Sequence, residues 1–186
     1  MKGDALRIVA VADTHGHPHT DLGKRIAETS PHHILHAGDV GDRAVLRLLE
    51  QWAPVTAVRG NIDGPRPDLP DIVTLEIASE HATLLKILLV HIAVYGPKLR
   101  ADIRRKALAE DASLVVCGHS HVPFAAHDRG VTVFNPGSVG PRRFQLPIVL
   151  GVIDVTATGI SVRHVDCETG LPWTPQTTSR GYPPST

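Results

Sequence analysis

"LVVCGHSH", residues 114–121, sets an apolar run, Leu114 to Val116, against two histidines one residue apart. A short apolar run of this kind reads as a buried strand. His119 and His121 follow where that strand leaves the core, and in extended chain residues i and i+2 point to one face. A metal or phosphate site needs that arrangement and a surface turn does not. Either histidine alone reads as a solvated loop residue, so the pair turns the question to the other strand ends.

Those ends repeat the pattern. "LRIVAVADTH" closes on Asp13 and His15, "HILHAGD" on Asp39, "VTAVRGN" on Asn61 and "TLLKILLV" on His91. In open α/β sheets ligands bind outside the carboxyl ends of the strands, so Asp13, His15, Asp39, Asn61, His91, His119 and His121 are expected to converge on one cleft. Taken singly, Asp13 and Asp39 read as helix or turn caps and Asn61 as a turn residue. Taken together, these readings need five coincidences at the same end of one sheet.

The first half alternates apolar runs with amphipathic stretches, as parallel strands joined by helical crossovers do. Asp21–Thr29 reads as a short helix stopped by Pro31. Asp42 caps a second, with Val45, Leu46, Leu48, Leu49 and Trp52 at helical spacing. Pro97 opens a third, with Leu99, Ile103 and Ala107 on one face. "VTVF", "PIVLGVIDV" and "ISVRHV" read as antiparallel strands. The fold class is α/β, a two-sheet β-sandwich flanked by helices, in one domain over residues 1–170. The remainder, 171–186, holds four prolines and is expected to be disordered or draped on the surface.

The chain of 186 residues is long enough to bury a core without staples. Nineteen Lys and Arg balance nineteen Asp and Glu, which argues against sequence-blind binding to nucleic acid. Cys117 and Cys167 do not form a disulfide framework, so the expected setting is cytoplasmic. The N-terminal run ends in Asp13, and the apolar stretch Thr83–Tyr95 is broken by Lys86 and His91, so no signal peptide or membrane span is expected.

Imidazoles mixed with carboxylates suit manganese, iron, zinc, cobalt or nickel better than calcium or magnesium. Seven donors exceed one tetrahedral ion, so two divalent metal ions are implied, with manganese the first choice. A carboxylate shared by a metal pair about 3.5 to 4 Å apart traps a water that becomes hydroxide near neutral pH. Hydrolysis of a small phosphate ester is the natural chemistry.

In order, "DTH", "GD", "GNID", "VH", "GHSH" and "NPGSVG" resemble the successive motifs of the calcineurin-like metallophosphoesterases, over about residues 6 to 143. The short "VRGNID" and "NPGSVG" forms are similar to the small single-domain phosphodiesterase branch. The resemblance implies that Asp13, His15 and His121 hold one metal and Asn61, His91 and His119 the other. Asp39 then bridges both, and Asp39 and Asn61 are the catalytic ligands. It implies phosphodiester hydrolysis through a metal-bridging hydroxide. Arg142 and Arg143 of "GPRR" are the expected phosphate contacts.

Two positions depart from the pattern. Where many members carry the histidine credited with protonating the leaving oxygen, this chain has Ile62, and two residues after His91 it has Ala93. General-acid help worth about 10² to 10⁴ in rate is lost by that route. Either good leaving groups are preferred, or another group donates the proton, with His17, His19 and metal-bound water as the candidates. Asp63 is placed either to orient a ligand or in an exposed turn. The family also holds a retromer subunit that works mainly through its surfaces, so the alternative function is a non-catalytic interaction scaffold. A nuclease is the third reading. The stretch Ile160–Val165 offers a pairing edge for a homo-oligomer.

Overall fold

The computed structural model describes residues 6–78, 83–96 and 98–174. Strand β1 (Leu6–Val11) shows why the apolar runs are unbroken rather than alternating. Val9 and Val11 face one buried layer while Ile8 and Ala10 face another, so both sides of the strand are covered. Helix α1 (Leu22–Thr29), β2 (His33–His36), α2 (Ala44–Leu49) and β3 (Val55–Ala57) follow as two crossovers. The strand β1 pairs parallel with β2, and β2 with β3. The antiparallel hairpin β4 (Ile72–Ala78) and β5 (Thr83–Val90) opens a second sheet.

A two-stranded ribbon, β6 (Val94–Tyr95) and β7 (Lys98–Leu99), precedes helix α3 (Ala101–Ala109). Then come β8 (Leu114–Val116), β9 (Phe124–Asp128), β10 (Val131–Asn135), β11 (Val149–Thr156), β12 (Gly159–Asp166) and β13 (Pro172–Trp173). The first sheet runs β13-β12-β11-β1-β2-β3 and the second β4-β5-β8-β10-β9. Ile8, Leu35, Ile87, Leu114 and Ile153 fill the space between them. Leu22, Ile26, Val45 and Leu49 of α1 and α2 cover the outer face of the first sheet, and Ile103 and Ala107 of α3 that of the second. The layers are therefore helix, sheet, sheet, helix. Among the described residues no helix is long and apolar enough to cross a membrane.

The sequence reading needs four corrections. The second half is not uniformly antiparallel: β5 pairs parallel with β8, and β8 with β10. The helix expected from Pro97 starts at Ala101, because Leu99 belongs to β7; Pro97 itself lies outside the described residues. Helix α2 ends at Leu49, three residues short of Trp52, which lies against Gly23. The segment set apart from residue 171 contributes β13, which pairs with His164 and Val165 of β12 and covers part of the expected dimer edge. Residues 175–186 of that segment lie outside the described residues.

Candidate metal centre

Parallel strands deliver their carboxyl ends to one side of the sandwich. Asp13 and His15 follow β1, Asp39 follows β2 and Asn61 lies beyond β3; from the second sheet, His91 follows β5, and His119 and His121 follow β8. The donor atoms of Asp13, His15 and His121 lie within 4.8 Å of one another, as do those of Asp13, Asp39 and His91. The Nε2 atoms of His15 and His121 are 3.3 Å apart, and His121 Nε2 is 3.5 Å from Asp13 Oδ1. Asp39 turns its two oxygens different ways: Oδ2 is 3.7 Å from His15 Nε2, and Oδ1 is 3.3 Å from His91 Nε2. The His119 ring stands edge-on to His91 at 5.2 Å, and Asn61 lines a cleft with His91.

The backbone is bent to achieve this. Asp13, His15, Asp39, His119 and His121 all have φ between 49° and 69°, the left-handed region that side-chain-bearing residues avoid. Each such residue costs on the order of 1 kcal/mol and persists only where its surroundings over-determine it. Close packing supplies that constraint. A Cβ on Gly60 would sit 2.1 Å from Asp39 Oδ1, and one on Gly38 would sit 2.6 Å from His91 Nδ1. Two loops can approach the site this closely only because those positions lack side chains.

Polar bonds fix the donors. The His119 amide donates to both Asp13 oxygens at 3.0 and 3.2 Å, and the Ile62 amide donates to Asp39 Oδ1 at 3.1 Å. His91 Nδ1 donates to the Ala37 carbonyl at 2.7 Å, which leaves Nε2 facing Asp39, buried and without a hydrogen-bond partner. An orphaned imidazole nitrogen beside two buried carboxylates fits a cation. The tautomer is the one a ligating histidine adopts when its second nitrogen is held by a carbonyl.

The charges agree with that fit. Burial, with Asp39 adding repulsion, pushes the Asp13 carboxyl up to about 7, against the pull of His91 and the His119 amide. Burial also raises Asp39, but His91, the Ile62 amide and His15 outweigh it and hold Asp39 at about 2. His121 is pushed down to about 4 by burial and by Arg143. An acid whose folded pKa is raised contributes stability that is complete below its unfolded value and lost as pH rises through the folded one. The window for Asp13 runs from about 4 to about 7. In chelated protein, Asp13→Asn is therefore expected to gain about 2 to 3 kcal/mol relative to wild type between pH 5 and pH 8. Urea unfolding of both proteins at the two pH values checks it, and parallel pH profiles would contradict it.

Residues 6–158 match the calcineurin-like phosphoesterase superfamily domain. The chain belongs to that superfamily. A probable metallophosphoesterase from Methanocaldococcus jannaschii is 29% identical over 156 residues, covering 80% of this chain and 76% of the relative. Among solved structures, vacuolar protein sorting 29 from Cryptosporidium parvum superposes with a TM-score of 0.73 at 17% identity, over 91% of this chain and 95% of that one. YfcE, a phosphoesterase from E. coli, gives 0.61 at 19%, over 90% and 97%.

Around this metallophosphoesterase site, the remaining expected residues divide. Arg143 reaches it, with Nη2 3.4 Å from His15 Nε2. Arg142 is engaged elsewhere: it donates to the Leu146 carbonyl at 2.7 Å and ion-pairs with Glu168. Ile62 is 52% exposed and Ala93 is packed in the core, and neither hydrocarbon side chain carries a proton to donate. His17 Nδ1 donates to the His15 carbonyl, while His19 Nδ1 accepts the Asp21 amide.

Residues outside the candidate donor set brace it, and of the two readings open for Asp63 the structure shows the buried, orienting one. Asp63 is buried and accepts from the amides of Val40, Gly41 and Gly60, tying the Asp39 loop to the Asn61 loop. The Asn135 amide group donates to the Gly118 carbonyl and to Ser120 Oγ, holding the "GHSH" loop, and Ser138 Oγ donates to the Asp13 carbonyl. Behind Asp13, Thr14 Oγ1 donates to the Val40 carbonyl and accepts from His36 Nε2, whose ring is pushed down to about 4 by burial. A polar residue inside an apolar run was the available signal for His36.

Proposed function

We propose that the chain is a dinuclear-metal-dependent phosphodiesterase acting on small phosphate esters. The observation that carries the reading is Asp39, whose two oxygens face histidines from different sheets. Asp13, His15 and His121 would hold one divalent ion and Asn61, His91 and His119 the other, with Asp39 shared; manganese is our first choice. When bound, such a pair supplies Lewis-acid charge and an activated water.

The protein's own groups then do the rest. Arg143 places a guanidinium beside His15, where it neutralises a phosphoryl oxygen. Asn135 and Ser138 hold the two loops that carry Asp13, His119 and His121 in register. Free, buried Cys117 and Cys167 support a reducing, cytoplasmic setting. With Ile62 and Ala93 offering no proton, the leaving oxygen departs with little assistance.

The test is hydrolysis of bis(nitrophenyl) phosphate beside nitrophenyl phosphate, by chelated protein and after manganese reloading. Metal-restored turnover favouring the diester is expected, with a rate that falls steeply as leaving-group pKa rises. A flat dependence would contradict the unassisted departure. Likeness to vacuolar protein sorting 29 favours a second reading, an interaction scaffold, and full metal occupancy without turnover of either ester would select it.

A further inference from the structure

Beside the metal centre, on the Asn61 and His91 side, lies a cleft of about 290 Å³. It is at the small end for ligand sites, the size of one organic moiety rather than a whole cofactor. Its walls carry two arginines that are already partnered. Arg59 pairs with Asp71, and Arg100 pairs with Asp102 in a two-bond fork at 3.1 and 2.7 Å. Ile92 and Ile103 line it between them.

Position and charge together define the occupant. Asp39 sets one oxygen toward His15 and the other toward His91, and Arg143 stands on the His15 side. A phosphoryl group at Asp39 therefore has its free guanidinium on one flank and this cleft on the other. Two arginines against two aspartates leave the walls with no net charge, so a second anionic group would meet Asp71 and Asp102 as much as the arginines. The fixed N–H and carboxylate groups instead offer both donors and acceptors to hydroxyls, beside the apolar side chains of Ile92 and Ile103.

We infer that this cleft is the binding site for one ester arm of the phosphodiester, and that the arm is an uncharged, hydroxyl-bearing group such as a polyol or sugar. The assignment rests on the phosphodiesterase reading above and adds the substrate class. It also makes Arg59 and Arg100 specificity-determining residues.

Isothermal titration of manganese-loaded protein with inorganic phosphate, glycerol 3-phosphate and 3-phosphoglycerate tests it without any turnover. The last two differ chiefly in one carboxylate on the arm. Glycerol 3-phosphate is expected to bind about tenfold more tightly than either of the others. The charge-neutral double variant Arg100→Ala with Asp102→Ala is expected to reduce that preference to about one while leaving inorganic phosphate within twofold. Both residues are on the surface, where ion pairs add little to stability. Arg59→Ala with Asp71→Ala repeats the test on another segment. Equal or tighter binding of 3-phosphoglycerate, or a preference that survives both variants, would overturn the assignment while leaving the phosphodiesterase reading intact. Wild-type protein that binds no phosphate compound would sink both.

Discussion

Replacing Asp39 with alanine is expected to lower kcat/KM for a nitrophenyl diester by at least about 10³-fold and to reduce bound manganese from about two ions per chain to one or fewer. Losing a group that merely orients a ligand costs 10- to 100-fold. Asp39 is the carboxylate between His15 and His91, so its loss removes a donor from both halves of the site at once. A 10³-fold loss corresponds to about 4 kcal/mol of transition-state stabilisation. Asp39→Asn separates catalysis from folding, since it keeps an acceptor for the Ile62 amide at the Oδ1 position. It should fold normally and remain inactive. Wild-type turnover and metal content in either variant would reject the shared-ligand role.

The second large effect lies one loop away and is structural in origin. Asp63→Ala is expected to cost about 3 to 5 kcal/mol, seen as a fall in Tm on the order of 10 °C. The carboxylate accepts three amides, from Val40, Gly41 and Gly60, and the first and last of these bonds are buried. A methyl group accepts none of them, and water has no ready access to replace it. Because those amides flank Asp39 and Asn61, manganese affinity should fall 10- to 100-fold in the protein that still folds. Asp63→Asn retains one acceptor oxygen and should land between. Calorimetry with and without manganese distinguishes the two contributions, and an unchanged Tm would show that the loops hold themselves.

Much of this was legible because strands buried on both faces write themselves as unbroken apolar runs. The runs at Ile8–Val11, Leu114–Val116 and Val149–Ile153 each mark a central strand. Chemistry placed just after the first two of these runs marks the site, and the seven candidate donors lie at one end of the sandwich, whereas β11 runs the other way and carries none. What escaped lacks a local signature. Strand β9 is mostly exposed and carries no apolar run, and β13 exists only because β12 offers it a partner. The parallel pairing of β8 with β10 joins segments that no period in the sequence relates. Asp63 read equally well as a turn residue, because the three amides it gathers come from two loops. Arg142 and Arg143 are adjacent in sequence and identical in type, yet Glu168, 26 residues further on, claims one of them.

The donor set has a kinetic consequence. Asp13, His15, Asp39 and Asn61 come from the first sheet, and His91, His119 and His121 from the second, so the chain must synthesise and dock both sheets before the centre exists. Contacts closed across more than a hundred residues, as between Asp13 and His121, carry a high loop-closure cost and slow folding. Interactions absent from the transition state act on the unfolding rate rather than the folding rate. A cation whose ligands meet only after that transition state would act as a latch, lengthening the lifetime of the assembled fold without changing the speed of assembly.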